Sequence, residues 1–183
     1  MNIVVAACKN RGIGINNTLP WKLLKDLKYF KFLTRCHGKN AIVMGKNTCM
    51  SLPHALPKRE NYVLSTTLTS NYKNEFNIIN DISSINKNKY NNIWLIGGEK
   101  VYKSFIDSDM INSIYYTDID THFDCDTYFP KIPKRFKRAF ISDKFNENDI
   151  NYNMKVYVKE GLNPDKYINK ATRALHFTNT TLG

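Results

Sequence analysis

Trp94-Leu95-Ile96-Gly97-Gly98-Glu99-Lys100-Val101-Tyr102 is the stretch that decides the fold. An apolar run stops at two glycines, and a helical pattern starts at the next residue. Glycines at such a junction allow a tight strand-to-helix turn and a close approach of backbone to a ligand. Val43-Met44-Gly45-Lys46-Asn47-Thr48 repeats the arrangement: strand, glycine, then Lys and Thr donors opening a helix. A helix start favours phosphate, and two such turns in one chain fit a dinucleotide lying across a sheet edge.

Working outward, short apolar runs recur between Asn, Lys and Ser clusters. Strands are expected over 3–8, 41–44, 61–65, 78–79, 92–96, 114–119, 135–142 and 152–159. The early runs are continuously hydrophobic, as in strands covered on both faces. The last two alternate, which suits an antiparallel hairpin with its turn at 146–151. Helices fall between the early strands, at 23–35 and 98–107. This order predicts an α/β fold with a mostly parallel sheet that ends in an antiparallel hairpin. Residues 161–183 differ: after Gly161 and Pro164 the chain is polar with scattered apolar residues, and it reads as a tail, a linker or a short docking helix.

The chain has 183 residues, one domain by length. No apolar run is long enough to span a membrane. The N-terminus has no basic region or cleavage site of a secretory signal, and the four cysteines match neither a disulfide framework nor a zinc spacing. A reducing, cytoplasmic setting is expected. The formal charge of +11 points to an anionic partner. However, 23 Asn and 21 Lys stand against 6 Arg, a bias that AT-rich codons also produce. No aromatic-basic patch or known motif supports a nucleic-acid-binding domain, and none of the four histidines has a metal-site spacing.

Residues 23–35 hold the sharpest chemical signal. Leu23, Leu27, Phe30 and Leu33 form one stripe at helical spacing, and Lys25, Lys28 and Lys31 point away. Asp26 falls inside the apolar sector. A carboxylate there loses solvation unless it is paired, capped or used. It is either a first-turn acid stabilised by the helix dipole or a buried acid that binds a ligand. Just before it, Gly12-Ile13-Gly14-Ile15-Asn16-Asn17-Thr18-Leu19 reads as a mobile loop beside that acid, a lid in outline.

Taken together, the ordered motifs resemble the dihydrofolate reductase family across residues 2–159. They are Ala6-Ala7, Gly14, Leu19-Pro20-Trp21, Asp26 followed by Phe30, and Met44-Gly45-Lys46-Asn47-Thr48. Then come Leu56-Pro57 with Arg59, Ile96-Gly97-Gly98 with Val101-Tyr102, and Thr117 ahead of Cys125-Asp126-Thr127-Tyr128-Phe129-Pro130. The resemblance implies a single domain over 1–160 with a central, mostly parallel eight-stranded sheet and about four helices, followed by a polar tail or linker over 161–183.

It also implies an activity: NADPH-dependent reduction of 7,8-dihydrofolate to tetrahydrofolate, supporting one-carbon metabolism and thymidylate synthesis. In that reading Asp26 holds the pterin's N3 and 2-amino group, with Thr117 as its hydroxyl partner and Trp21 as a third catalytic position. Val5, Ala6, Leu27, Phe30, Leu52, Leu56 and Ile96 line the folate slot. Arg59 takes the α-carboxylate of the glutamate tail, a task suited to a planar fork. The backbone of Ala7 and Ile15 orients the nicotinamide, with Ile13, Gly14 and Leu19 nearby. Gly45, Lys46, Asn47, Thr48, Leu64, Ser65 and Thr66 serve the pyrophosphate and 2′-phosphate. Gly97 and Gly98, read as a cis-linked pair, lead with Glu99, Lys100, Val101 and Tyr102 along the rest of the cofactor. No metal is implied. The expected partners are dihydrofolate and antifolate inhibitors, with a monomer as the default and the tail as a route to fusion or association with thymidylate synthase. A pteridine or pyrimidine reductase of related fold is the nearest rival, and Asp26 with Arg59 argues against it. Two positions depart from relatives: Cys125 replaces a glycine common in bacteria, and Thr66 replaces an arginine found in vertebrates.

Overall fold

Alternation along the strands divides the apolar side chains into two sets, and the fold buries both. The computed structural model describes residues 1–35, 38–68 and 75–180, Thr180 through its backbone alone. Cys36 and His37, which carried no functional expectation, lie outside the described residues. The elements in order are β1 (Asn2–Cys8), β2 (Gly12–Gly14), α1 (Leu24–Arg35), β3 (Asn40–Gly45), α2 (Lys46–Ser51), β4 (Glu60–Leu64), β5 (Asn77–Ile79), β6 (Asn92–Gly97), α3 (Glu99–Phe105), β7 (Ser113–Ile119), β8 (Thr127–Tyr128), β9 (Phe136–Ile141), β10 (Phe145–Glu147), β11 (Ile150–Lys159) and α4 (Asp165–Thr180).

The main sheet runs β10-β11-β7-β1-β6-β3-β4-β5, with β9 also paired to β11. Since β9 and β10 occupy successive stretches of the same edge of β11, the sheet has eight strand positions, as expected. β7, β1, β6, β3, β4 and β5 are mutually parallel, and β11 is antiparallel to β7. The closing hairpin turns at Asn148 and Asp149, both at positive φ. That pair makes the tight two-residue connection that matches strand twist, so the turn is shorter than 146–151. β2 and β8 form a small separate antiparallel sheet that the sequence pattern did not predict.

One face of the sheet presents Val4, Ile42, Met44, Trp94, Tyr115, Met154 and Val156, covered by Tyr29 and Leu33 of α1 and by α4. The other presents Ile3, Val5, Ala7, Val43, Leu95 and Ile114, covered by Val101 and Tyr102 of α3. The period of two in a doubly covered strand produces this three-layer order.

Of the readings open for 161–183 (tail, linker or short docking helix), residues 165–180 take the helix. They form α4, whose buried residues Tyr167, Ala171, Ala174 and Thr178 recur at helical spacing. Asn163 caps the Asp165 N–H at 2.9 Å, and Pro164 precedes the first turn. The helix packs on α1, where Phe177 stacks on Phe32 with ring centroids 5.0 Å apart. The buried face uses two alanines and a threonine, so a hydropathy reading sees little there.

Candidate functional site

β1 keeps full parallel register with β7 from Asn2 to Cys8, but it pairs with β6 only at Asn2 and Ile3. Beyond Ile3 the pairing stops, so the carboxyl ends of the two strands are not joined to each other. Ligands of open α/β sheets bind at such a point. The parallel run also brings the ends of β3, β4 and β6 to the same edge: Gly45 is level with Leu64, and Met44 with Gly97.

α1 sets Asp26 in its first turn. The side chain is buried, and the Thr117 hydroxyl donates to Oδ1 at 2.6 Å. Thr117 reaches it because β7 places that residue opposite Ala6. Burial pushes the Asp26 pKa up to about 6; the Thr117 hydrogen bond opposes this, and the nearby Glu147 charge adds to it. The buried face of α1 differs from the predicted stripe. Asp26, Tyr29 and Leu33 face the core, Leu27 is 48% exposed and Phe30 is half-buried. The helix is rotated so that Leu27 and Phe30 flank the core-facing side, and the bulky Tyr29 takes the buried place. The first-turn backbone is held by Glu147, which accepts from Leu24 N at 2.9 Å and Lys25 N at 3.1 Å.

Arg59 lies at the far end of α1. Its Nη1 donates to Thr34 Oγ1 at 2.7 Å, its Nε donates to the Pro57 carbonyl at 3.1 Å, and its guanidinium lies 6.0 Å from the Phe30 ring centroid. Among the described residues no carboxylate pairs with it. Burial lowers its pKa to about 10, with Arg35 adding to the effect. The turn that carries it rests on the buried Asn61. That amide donates to the carbonyls of Leu56 (2.9 Å) and Arg59 (2.8 Å) and accepts from Leu56 N (2.9 Å). Sequence reading missed Asn61. Leu52 and Leu56 pack against the same core as Phe30, half-buried.

Gly97 and Gly98 are joined by a cis peptide bond. The two strand-to-helix turns touch. A Cβ on Gly45 would come within 3.1 Å of Val101 Cγ2, and one on either Gly97 or Gly98 would meet Thr48 Oγ1 at 3.3 Å. Lys46 and Asn47 are exposed here. Lys46 Nζ donates to Thr67 Oγ1 at 3.5 Å, which adds a residue one past the predicted set; Thr66 before it is exposed. Ser65 is buried, and its hydroxyl accepts from Thr67 N (3.2 Å) and Leu68 N (3.1 Å), which shapes the turn. Val101 and Tyr102 are core residues, and Tyr102 donates its hydroxyl to the Val4 carbonyl at 2.8 Å.

The segment read as a mobile loop has a defined internal geometry. Asn16 and Asn17 take positive φ, and Ile15 and Thr18 exchange backbone hydrogen bonds at 3.0 and 2.9 Å. Ile15 therefore spends its N–H on Thr18. Asp126 ties the turn to the β8 segment: its carboxylate accepts from Asn16 N at 2.8 Å, and its N–H donates to the Gly14 carbonyl at 3.0 Å. Leu19, just beyond, is 50% exposed. Trp21 is buried with its ring 5.5 Å from that of Phe123, and its indole N–H has no acceptor among the described residues.

Residues 1–159 match the family model described as dihydrofolate reductase. The chain is 34% identical over 179 residues to dihydrofolate reductase of Aedes albopictus, covering 86% of this chain and 96% of that protein. It is 35% identical over 181 residues to dihydrofolate reductase of Drosophila melanogaster, covering 86% and 97%. It is 30% identical over 175 residues to the bifunctional dihydrofolate reductase-thymidylate synthase of Daucus carota, covering 86% of this chain and 33% of that protein.

Proposed function

The chain belongs to the dihydrofolate reductase family, and from that premise we propose how its own residues serve the reaction. It is an oxidoreductase that reduces dihydrofolate with NADPH. When bound, NADPH supplies the hydride that reduces the N5=C6 double bond of the substrate.

One observation carries the assignment of roles: a carboxylate buried in the first turn of α1 and bonded to a hydroxyl from the central sheet. Asp26 and Thr117 take the donor edge of the pterin. With its pKa near 6, Asp26 exchanges protonation state close to neutral pH, where a general acid is most useful. It grips the ring edge remote from N5, so a proton reaches N5 through solvent held in the site.

Arg59 takes a carboxylate of the glutamate tail. The support is a half-buried cation with no carboxylate partner among the described residues, clamped by Thr34 and the Pro57 carbonyl. Leu27, Phe30, Leu52 and Leu56 supply the apolar walls between Asp26 and Arg59. The cofactor fits the other side of the cleft. The glycines at 45, 97 and 98 leave room that a Cβ would narrow, and Lys46, Thr66 and Thr67 supply a cation and two hydroxyls for its phosphates. The Asn16–Asn17 turn, pinned by Asp126, covers the mouth and limits water.

We read a single reductase activity in a monomer. Cys8 and Cys125 carry thiols, which fits a reducing cytoplasmic setting. No helix among the described residues is long and apolar enough to cross a membrane. NADPH absorbance followed with and without dihydrofolate tests the function. Oxidation that does not depend on dihydrofolate would overturn it.

A further inference from the structure

The first N–H groups of an α-helix have no partner inside the helix and take one from a nearby side chain or from water. In α1 the partner comes from the opposite end of the chain. Glu147 Oε2 accepts from Leu24 N at 2.9 Å, and Oε1 accepts from Lys25 N at 3.1 Å. The next residue is Asp26. Glu147 is itself fixed. It ends β10, opposite Ile150 across the Asn148–Asp149 turn, and Tyr152 donates its hydroxyl to Oε1. The same hairpin makes two more contacts. Asn148 Nδ2 donates to the Lys22 carbonyl at 3.0 Å, and Lys25 Nζ lies 4.3 Å from the centre of the Phe145 ring.

We propose that Glu147 is a positioning residue for the reaction: it fastens the first turn of α1 to the β10–β11 hairpin and holds a second carboxylate at the backbone next to Asp26. This rests on the reading of Asp26 as the site's acid. Two features distinguish it from an ordinary cap. The cap comes from a distant hairpin and not from the residue before the helix, and its two oxygens hold two N–H groups. It also sits beside a second carboxylate that is buried, where water screens poorly and like charges resist joint ionisation. The other groups facing Asp26 are Thr117 from β7, which stabilises the carboxylate, and the neutral phenols Tyr29 of α1 and Tyr152 of β11. Glu147 is thus the anion among them. Its charge and the burial of Asp26 act in the same direction, against the Thr117 hydrogen bond.

The test uses the full chain with 13C-labelled aspartate carboxyls, the Asp26 signal being assigned by its loss in Asp26→Asn. Glu147→Gln keeps an acceptor for the helix and removes the charge, and Glu147→Ala removes both. Each should titrate Asp26 about 0.3 pH unit or more below wild type. Glu147→Asp, which keeps the charge, should stay near the wild-type midpoint. An unchanged midpoint in a folded neutral variant overturns the proposal, and the two neutral variants guard against one failing to fold. The pH profile of hydride transfer, read in single turnovers of NADPH absorbance, is the second measurement. Its alkaline limb should move to lower pH together with the carboxyl titration. If the carboxyl midpoint moves and the rate profile does not, the Glu147 charge acts on Asp26 but Asp26 is not the acid of the reaction, and Glu147 is no positioning residue for it; an unmoved midpoint overturns the contact itself, so the two failures are distinct.

Discussion

The Thr117 hydroxyl donates to Asp26 Oδ1 at 2.6 Å across 91 residues of sequence, joining the central sheet to the first turn of α1. The bond stabilises the carboxylate form but does not overcome burial, so the Asp26 pKa settles near 6, above its ordinary value of 3.8. A carboxyl whose pKa is raised on folding holds its proton more tightly in the folded state. Ionising it therefore costs stability, progressively from about pH 4 to pH 6 and fully above. Asp26→Asn should raise the melting temperature at pH 7–8 by the equivalent of roughly 2–3 kcal/mol, from a separation of about two pH units at 1.36 kcal/mol each. The gain should vanish below pH 4. Hydride transfer at neutral pH should fall about 10²-fold or more, the scale of general acid catalysis, and recover as pH falls. Thermal melts and single turnovers across pH check both parts. Wild-type turnover at pH 7–8 would reduce Asp26 to a first-turn helix acid.

Arg59→Lys should raise KM for dihydrofolate and leave kcat little changed. The guanidinium is already bonded through Nε and Nη1, which fixes the plane that a carboxylate would meet. A lysine cannot copy the fork. Losing one charged pair is worth about 1.5–3 kcal/mol, and a contact remote from the reacting atoms acts equally on ground and transition states. Steady-state kinetics separate the two constants. A large loss in kcat at constant KM would refute the assignment.

Lys46→Ala should weaken NADPH far more than NADH, because the lysine stands with Thr67 on the rim proposed for the 2′-phosphate. Thr67→Ala should show the same selectivity more weakly, as its hydroxyl accepts from Lys46 Nζ. Cofactor titrations by fluorescence compare the pair. Equal losses for both cofactors would move the phosphate elsewhere.

Deleting residues 162–183 should cost stability before it costs chemistry. The deletion removes the buried Tyr167, Ala171 and Ala174, the Phe177 stack on Phe32, and the Tyr167 carbonyl that accepts from Tyr115 OH at 3.2 Å. Burial of this size is worth on the order of 5 kcal/mol, comparable with the whole stability of many domains. Ala171→Asp, a charge at a fully buried position, should act in the same direction. Circular-dichroism melts decide it, and a truncation with wild-type melting would mean that α4 adds nothing to the core.

Gly12→Ala should disturb the turn over the cleft. An added Cβ would lie 2.4 Å from Cys125 Sγ and 2.6 Å from Cys125 Cβ, too close without movement. Cys125→Gly removes both atoms, so the double variant should regain most of the loss. A double-mutant cycle on stability and turnover measures the coupling. Additive effects would place the damage elsewhere.

The sequence alone determined the layered α/β order. Continuous apolar runs of four to six residues closed by Gly45 and by Gly97-Gly98 read as strands covered on both faces, because they are too short for a buried helix and an exposed face would carry polar residues at alternate positions. It also determined that Asp26 was anomalous, since an acid in an apolar helical sector has to be explained by what surrounds it. Three features were decided only by tertiary structure. The rotation of α1 that buries Tyr29 and frees Leu27 depends on which side chains the sheet and α4 present to it, and periodicity cannot count these. The docking of α4 rests on Ala171 and Ala174, whose small side chains contribute through close approach of the helix, so hydropathy missed them; the Asn163-Pro164 start was the legible sign. The cap on α1 comes from Glu147, more than 120 residues away. No local pattern could link them, because that contact exists only once β11 has paired with β7 and carried the hairpin to the helix.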